Sequence, residues 1–361
     1  MLVIPDTSAF EEDLRLESVQ WRLLLENAAA ANLTIAVPRV VFREVTNRFR
    51  EKINKHITSV NNTLAALSAL TGKKLQSPIK ADDPQHWLRW FRYKLRERIL
   101  GRGGQILKIP RISHATLISR DLRRRKPFTE SGRGYRDALL WETILQAVRD
   151  GQPNIAFICE NTRDFAGPDR KHFHSDLIQD LTKLGVEESV LLFDRLTTFI
   201  EEKLWPALPK PHRDFLDLTR EQFPDFSLEE QLEQFLLNAL PGRQMSPRDL
   251  GTDHVFEEPT ITMVDRPVNV QIIDEAEPEG KQRVLELEAE VECLFDSFID
   301  KFEYYTMSDQ RQPSATEWNE TYMKAEFYAT LRVRGYATFD PADGVFTDFE
   351  ITELIGQDVI E

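Results

Sequence analysis

The period of the hydrophobic pattern changes midway along this 361-residue chain. In the first half, short apolar runs such as 2–4 and 154–159 alternate with longer stretches in which apolar residues recur every four positions, as Val41, Val45 and Phe49 do. Strands separated by helices predict a parallel α/β sheet. From about Thr260 the pattern alternates residue by residue, which predicts an antiparallel sheet with one face toward water.

We therefore expect two domains. A first domain, a parallel α/β sheet flanked by helices, is predicted over 1–204, with a helical basic insertion at about 50–130. A helical linker over 205–250 follows, and a smaller, acidic α+β domain with an antiparallel sheet is predicted over 251–361. The length of the chain fits two domains better than one.

The sequence predicts a cytoplasmic protein without a membrane partner. It has no run of 18 apolar residues, and its first residues lack the basic and small-residue signals of a secretory leader. Cys159 and Cys293 lie far apart and form neither a disulfide framework nor a zinc quartet, which favours a reducing compartment.

The two halves of the chain carry opposite charge. Residues 1–200 hold 32 Lys and Arg against 24 Asp and Glu, a net charge of +8, whereas residues 201–361 hold 14 against 36, a net charge of −22. A basic half is typical of proteins that meet nucleic acid. The acidic half has three open interpretations: it covers the basic stretch as a phosphate mimic, it docks a protein partner or a second copy of the chain, or it serves solubility alone.

Four acidic residues follow the predicted strands of the first half. Asp6 comes just after the first strand, Glu44 lies early in the helix after the second, Asp137 opens the helix 136–149, and Asp164 follows the strand 154–159. Because ligands of open parallel sheets bind at the carboxyl ends of the strands, these side chains are expected to converge there.

Four converging carboxylates would repel one another unless cations neutralised them. Oxygen ligands favour Mg²⁺ or Mn²⁺ over Zn²⁺. Two such ions can activate a water molecule and stabilise the leaving oxygen in phosphodiester hydrolysis. The sequence therefore predicts Asp6, Glu44, Asp137 and Asp164 as both metal ligands and catalytic residues.

Each acid also has an ordinary structural interpretation when taken alone. Asp6 and Asp137 suit helix starts, Glu44 suits a helix surface, and Asp164 suits a turn. Other site types lack support: His172 and His174 have no further ligands at zinc spacing, and neither phosphate-loop glycine motifs nor a G-x-S-x-G motif occurs.

The motifs around these acids resemble those of the PIN-domain nucleases. The matching segments are V-I-P-D-T-S, R-E-V, G-Y-R-D-A-L-L-W and E-N-T-R-D-F, and the third is similar to a bacterial branch of the family. The resemblance covers about residues 1–200. It implies a five-stranded parallel PIN-like sheet, metal-dependent cleavage of RNA or sometimes DNA, Thr7 or Ser8 holding the first carboxylate, and Asn161 as a polar ligand or water contact.

A dense basic stretch accompanies the acids. Between Arg89 and Arg136 there are fifteen Lys and Arg residues against three acids. We predict that part of it contacts nucleic acid phosphates through Arg120, Arg123, Arg124, Arg125 and Lys126. Arg136, beside Asp137, is predicted to support the site, either by contacting phosphate like the rest of the basic stretch or by pairing with a carboxylate.

Aromatic residues Trp87, Trp90, Phe91 and Tyr93 interleave with the cations. Packing in the core is the interpretation we favour for them over base stacking in a single-strand groove.

The function predicted from the sequence is a Mg²⁺- or Mn²⁺-dependent endoribonuclease that uses two metal ions, with RNA as partner. Two alternatives remain open: a DNA-directed nuclease, and a catalytically silent module that binds nucleic acid.

Overall fold

The computed structural model describes residues 1–80, 82–210, 215–251, 256–277, 282–307 and 312–360. The chain divides into two compact units, Met1–Ala207 and Leu208–Glu361. No helix among the described residues combines the length and apolar character needed to cross a membrane.

A five-stranded parallel sheet forms the centre of the N-terminal unit, as predicted. Its strands β1 to β5 are Leu2–Pro5, Thr34–Pro38, Gln105–Leu107, Ile155–Ile158 and Val190–Phe193. The order across the sheet is β3-β2-β1-β4-β5. The central strands β1 and β4 are buried at every residue, because helices cover both faces of a parallel sheet.

Seven helices flank this sheet among the described residues. Helices α1 to α7 are Val19–Asn27, Arg39–Thr71, Asp83–Gly101, His114–Leu122, Tyr135–Arg149, Ser175–Thr182 and Leu196–Phe199. Ser113 caps α4 by accepting from the backbone N–H of Thr116 at 3.1 Å. The helix ends at Leu122, because Arg124 adopts a positive φ of 50°.

The helices of the basic insertion separate its aromatic residues into two groups. Phe91 on α3 is buried and stacks on Phe49 of α2, with ring centroids 4.0 Å apart. Trp90 and Tyr93 on the same helix are exposed by 42% and 62%. Core packing therefore explains Phe91 but not Trp90 or Tyr93.

An aromatic cluster lies against the strand β4. Phe157 contacts Phe165 at a centroid distance of 4.9 Å and Phe173 at 6.3 Å, and Trp141 of α5 contacts Phe173 at 5.3 Å. Phe165 is 1% exposed and directly follows Asp164. Burial of its ring therefore anchors the short turn that carries Asp164.

The C-terminal unit contains an antiparallel sheet, as predicted. Its strands β6 to β11 are Glu257–Val264, Val268–Ala276, Arg283–Asp300, Ser314–Glu317, Tyr322–Asp340 and Val345–Ile360. Its helices α8 to α10 are Phe215–Gln222, Leu228–Ala239 and Lys301–Thr306. The long strand β8 pairs with β6, β7 and β10, and β10 pairs in turn with β9 and β11.

Residues 208–250 belong to this C-terminal unit, which corrects the expectation of a separate linker over 205–250. Phe215, Leu232 and Leu236 from α8 and α9 share a buried cluster with Leu287 and Phe295 of β8. The apolar stripe of α9 needs a partner surface, and the sheet supplies it.

Gly134 caps the start of α5 and so fixes the position of Asp137 in the first turn of that helix. Its φ of +119° is unfavourable for a residue with a side chain. A Cβ atom at this position would also lie 2.5 Å from the carbonyl oxygen of Pro127. The backbone of the preceding loop therefore passes too close to α5 for any other residue.

We predict that Gly134→Ala lowers the free energy of unfolding by about 2–4 kcal/mol, because backbone strain and a steric clash add. The matched control is Gly151→Ala, at a φ of +86° with no atom within 4 Å of the added Cβ, which should cost only about 1 kcal/mol. Urea denaturation measures both. Equal losses for the two variants would contradict a close approach at Gly134.

Candidate active site

Asp6 lies at the carboxyl end of β1, where its backbone N–H donates to the carbonyl of Ile158 at 2.8 Å. Its Oδ2 atom accepts from the hydroxyl of Ser8 at 3.0 Å and from the backbone N–H of Ser8 at 3.3 Å. The side chain thereby caps the short helical turn Thr7–Phe10. Because all of these bonds end on Oδ2, Oδ1 remains free of hydrogen bonds from described residues.

Glu44 lies in the second turn of α2, beside the end of β1. Its Oε1 atom is 2.8 Å from Nη1 of Arg136 and 3.5 Å from Nη2 of Arg48. Burial raises the pKa of Glu44 and Asp6 raises it further, whereas Arg136 and a side-chain hydrogen bond with Thr7 act in the opposite direction. Arg136 thus pairs with a carboxylate, one of the two roles left open by the sequence.

Among the four predicted acids, Asp137 is the one whose environment opposes ionisation most clearly. Burial is the largest cause that raises its pKa, followed by the charges of Asp6, Asp164 and Glu44, and the result is a pKa of about 6. Arg136 opposes the rise only in part. The four predicted acids therefore sense one another's charge at a single edge of the sheet.

Asp164 follows β4 in the turn Thr162–Asp164. Its Oδ1 atom is buried and has no hydrogen-bond partner. The nearest cation is Nζ of Lys126 at 4.0 Å, which instead donates to the carbonyl of Arg163 at 2.8 Å. A buried carboxylate oxygen without a partner is rare in folded proteins and indicates a place for a water molecule or an ion.

The donor set fits divalent cations in its chemistry. It consists of carboxylate oxygens, it concentrates negative charge, and the Oδ1 atom of Asp164 lacks a hydrogen-bond partner. However, no group of three or more His, Cys, Asp or Glu side chains is arranged to hold a metal ion in the part of the chain that the structure describes. The four carboxylates therefore lie close enough to affect one another's charge state, but they are not within coordination distance of one shared ion. Mutual repulsion and the ion pair of Glu44 with Arg136 account for the separation.

The polar residues predicted to support the acids have different partners. Ser8 holds Asp6, whereas Thr7 bonds to Glu44 instead. Asn161 is exposed, and its carbonyl accepts from the thiol of Cys159 at 3.3 Å. No hydrogen bond from the Asn161 side chain to the four acids is found among the described residues.

Two residues that the sequence interpretation left without a role adjoin Asp6. The thiol of Cys159 is 3.5 Å from Asp6 Oδ2, and its pKa is raised by burial and by the charge of Asp6. It therefore stays protonated, and its single hydrogen is shared between Asp6 Oδ2 and the Asn161 carbonyl. The backbone N–H of Glu160 donates to the Ser8 hydroxyl at 3.0 Å. Partial desolvation and the charge of Glu12 raise the pKa of Glu160 to about 7, with Asp6 contributing. Cys159 and Glu160 directly follow the strand β4, and this position is the sequence feature that could have identified them.

Arg120 is a structural residue, which corrects its prediction as a phosphate contact. It is 9% exposed, and its Nη1 atom lies 2.6 Å from Oδ2 of Asp180. The indole of Trp141 donates to the same oxygen at 3.1 Å, and Arg125 pairs with the other oxygen at 3.2 Å. Two cations of the basic stretch therefore neutralise a buried carboxylate on α6.

The other three residues predicted to contact phosphate differ in whether their charged groups already have partners. Arg124 pairs with Asp121 at 2.6 Å, and Lys126 is held against the backbone of Arg163. Arg123 is exposed and forms no ion pair with a described residue. Arg123 is thus the member of this group most available to an anionic ligand.

We predict that Asp137→Asn stabilises the metal-free protein at neutral pH. The pKa of Asp137 is about 6 in the folded chain against an ordinary value of 3.8. A raised pKa contributes stability that is complete below about pH 4 and is lost as the pH rises through 6. The variant cannot ionise at this position, so its free energy of unfolding relative to wild type should rise by about 1–3 kcal/mol between pH 4 and 7.5.

Urea denaturation in EDTA across this pH range measures the difference. Asp150→Asn is the matched control, since Asp150 follows the same helix and is exposed. It should show no comparable dependence on pH. A flat difference for Asp137→Asn would contradict a raised pKa.

Comparison with known proteins adds one finding. The family model described as PIN domain matches residues 3–165. No curated protein and no solved structure matches the chain. The matched segment includes all four strand-end acids and four of the five parallel strands, β1 to β4. Residues 3–165 of this chain therefore match the PIN-domain family, whose fold is of the nuclease type.

Proposed function

We propose that this chain is a divalent-metal-dependent nuclease that hydrolyses phosphodiester bonds, with RNA as its substrate. PIN domains are generally nucleases and typically use Mg²⁺ or Mn²⁺. We further propose that this chain is an endoribonuclease and that it acts in the cytoplasm. Both cysteines are free and buried, which is compatible with a reducing compartment.

One observation carries the proposal: the carboxylates of Asp6, Glu44 and Asp164, which come from the end of β1, from α2 and from the turn after β4, lie close enough to Asp137 of α5 to disturb its ionisation. A fold does not retain such repulsion for stability, since like charges cost free energy. Bound cations would offset this repulsion, so a cation-binding site explains why the four carboxylates lie together. The match of a PIN-domain family model to these same residues supports this interpretation.

Asp6, Glu44, Asp137 and Asp164 are the residues that would hold the metal ions. When bound, Mg²⁺ or Mn²⁺ would supply an activated water molecule and stabilise the leaving oxygen. Ser8 keeps Asp6 in position through its hydroxyl and backbone N–H. Arg136 holds Glu44 and neutralises part of the local charge in the absence of cations, and its 67% exposed side chain is free to turn toward a phosphate.

The ion pair of Arg136 with Glu44 also favours a second candidate, a PIN-like module that binds nucleic acid without cleaving it. In that case the guanidinium permanently replaces a cation, and the basic stretch alone provides affinity. Such a module would bind RNA with strong salt dependence and yield no product at any Mg²⁺ or Mn²⁺ concentration.

We predict that Asp6→Asn, Asp137→Asn and Asp164→Asn each reduce cleavage by about 100-fold or more, because each removes a charge that holds the metal ions. The full-length protein is incubated with labelled single- and double-stranded RNA and DNA in Mn²⁺ or in EDTA. Wild type should cleave RNA in Mn²⁺ only.

Asp150→Asn again serves as control and should retain full activity, since Asp150 lies at the opposite end of α5 from Asp137. Cleavage of DNA alone would contradict the assignment of RNA. Metal-dependent activity that survives all three acid substitutions would contradict the site.

A further inference from the structure

A cavity of about 490 Å³ opens among α4, α5 and α6 of the N-terminal unit. It includes Glu142, Leu145 and Arg149 of α5. Arg149 is the last residue of that helix and Asp137 lies in its first turn, so roughly 18 Å of helix separates the two at 1.5 Å per residue. The cavity is therefore distinct from the acid cluster.

The lining of this cavity is predominantly cationic. Its charged side chains comprise five cations and two carboxylates, a net charge of +3. The cations are Arg120, Arg123, Arg125, Arg149 and Lys183, and the carboxylates are Glu142 and Asp180. A concave surface with one excess charge concentrates ligands of the opposite charge.

The carboxylate at the floor of the cavity is neutralised by its neighbours. Asp180 accepts from Arg120 at 2.6 Å, from Trp141 at 3.1 Å and from Arg125 at 3.2 Å. These bonds satisfy its carboxylate and fix the two arginines in place. The positive charge that a ligand would meet comes from the remaining cations.

Three cations at the rim are unpaired or only loosely paired among the described residues. Nη1 of Arg149 is 3.7 Å from Glu142, and Nζ of Lys183 is 3.9 Å from Asp180, both beyond hydrogen-bond length. Arg123 has no ion pair with a described residue. The side chains of Arg149 and Lys183 are 44% and 66% exposed, so all three heads can turn toward an incoming anion.

We infer that this cavity binds a nucleoside monophosphate group through Arg123, Arg149 and Lys183. Guanidinium and ammonium groups are the side chains that recognise phosphate oxygens. The volume suits a small-molecule ligand rather than a duplex. Leu145 and Leu184 provide apolar surface for a sugar and base, and the hydroxyls of Thr116 and Ser119 add polar contacts. The group is either a free mononucleotide or the terminal nucleotide of a strand.

Titration of the full-length protein with adenosine 5′-monophosphate in EDTA at low salt tests this inference. Binding should saturate at one nucleotide per chain, and adenosine without phosphate should bind at least about tenfold more weakly. Arg123→Gln and Lys183→Gln should each weaken binding by about tenfold. Lys183 is largely exposed, so its substitution should leave the fold intact, which thermal unfolding checks.

Arg111→Gln is the matched control, since Arg111 is an exposed cation of the same basic stretch outside the cavity lining. It should bind the nucleotide as wild type does. Failure to bind adenosine monophosphate at millimolar concentration, or an equal loss in Arg111→Gln, would overturn the inference.

A second arm of the experiment identifies the source of the phosphate. A four-nucleotide RNA with a 5′-phosphate is compared with the same RNA carrying a 5′-hydroxyl, again in EDTA. Preference for the phosphorylated strand, lost in Arg123→Gln, assigns the cavity to strand ends. Preference for the free mononucleotide assigns it to a small effector. Because no cleavage is measured, the outcome is independent of the proposed nuclease activity.

Discussion

Repulsion among carboxylates at the carboxyl edge of the parallel sheet is the constraint on which the rest of the N-terminal unit depends. The effect is largest at Asp137, where burial and the charges of three neighbouring acids raise the pKa to about 6. The fold offsets part of this repulsion with local partners. Ser8 holds Asp6, Arg136 holds Glu44, and the Oδ1 atom of Asp164 is left without a hydrogen-bond partner, with Lys126 at 4.0 Å.

The architecture positions these acids through short, fully buried strands and tight turns. β1 and β4 are neighbours in the sheet, so Asp6 and Asp164 begin from adjacent strand ends. Gly134 brings α5 close to the preceding loop, and the buried ring of Phe165 anchors the turn after β4. Rigid elements therefore set the backbone positions from which the four carboxylates project.

The sequence predicted what depends on local pattern. The alternation of strands and helices predicted the parallel sheet, and the acids that follow the strands predicted an edge rich in carboxylates. It did not predict the partners of long side chains. Nothing local distinguishes Arg120, which is buried on Asp180, from Arg123, which is exposed. Trp141 and Asp180 lie 39 residues apart, so their hydrogen bond is a product of tertiary packing alone.

Tertiary packing also decides the partners of Thr7, of Ser8 and of the helix α9 in the expected linker. Thr7 and Ser8 are neighbours in sequence, yet the turn after Asp6 directs one hydroxyl to Glu44 and the other to Asp6. The amphipathic pattern of α9 indicated a helix, but the surface that buries its apolar face is a sheet formed later in the chain. Sequence pattern identifies such faces and does not identify their partners.

We propose that Asp6, Glu44, Asp137 and Asp164 share divalent cations. Isothermal titration of the full-length protein with Mn²⁺, without nucleic acid, measures this binding directly. We expect at least one Mn²⁺ to bind per chain in wild type and in Asp150→Asn, with a loss of affinity of about tenfold or more in Asp137→Asn. Mn²⁺ affinity that is unchanged in Asp137→Asn would contradict this proposal.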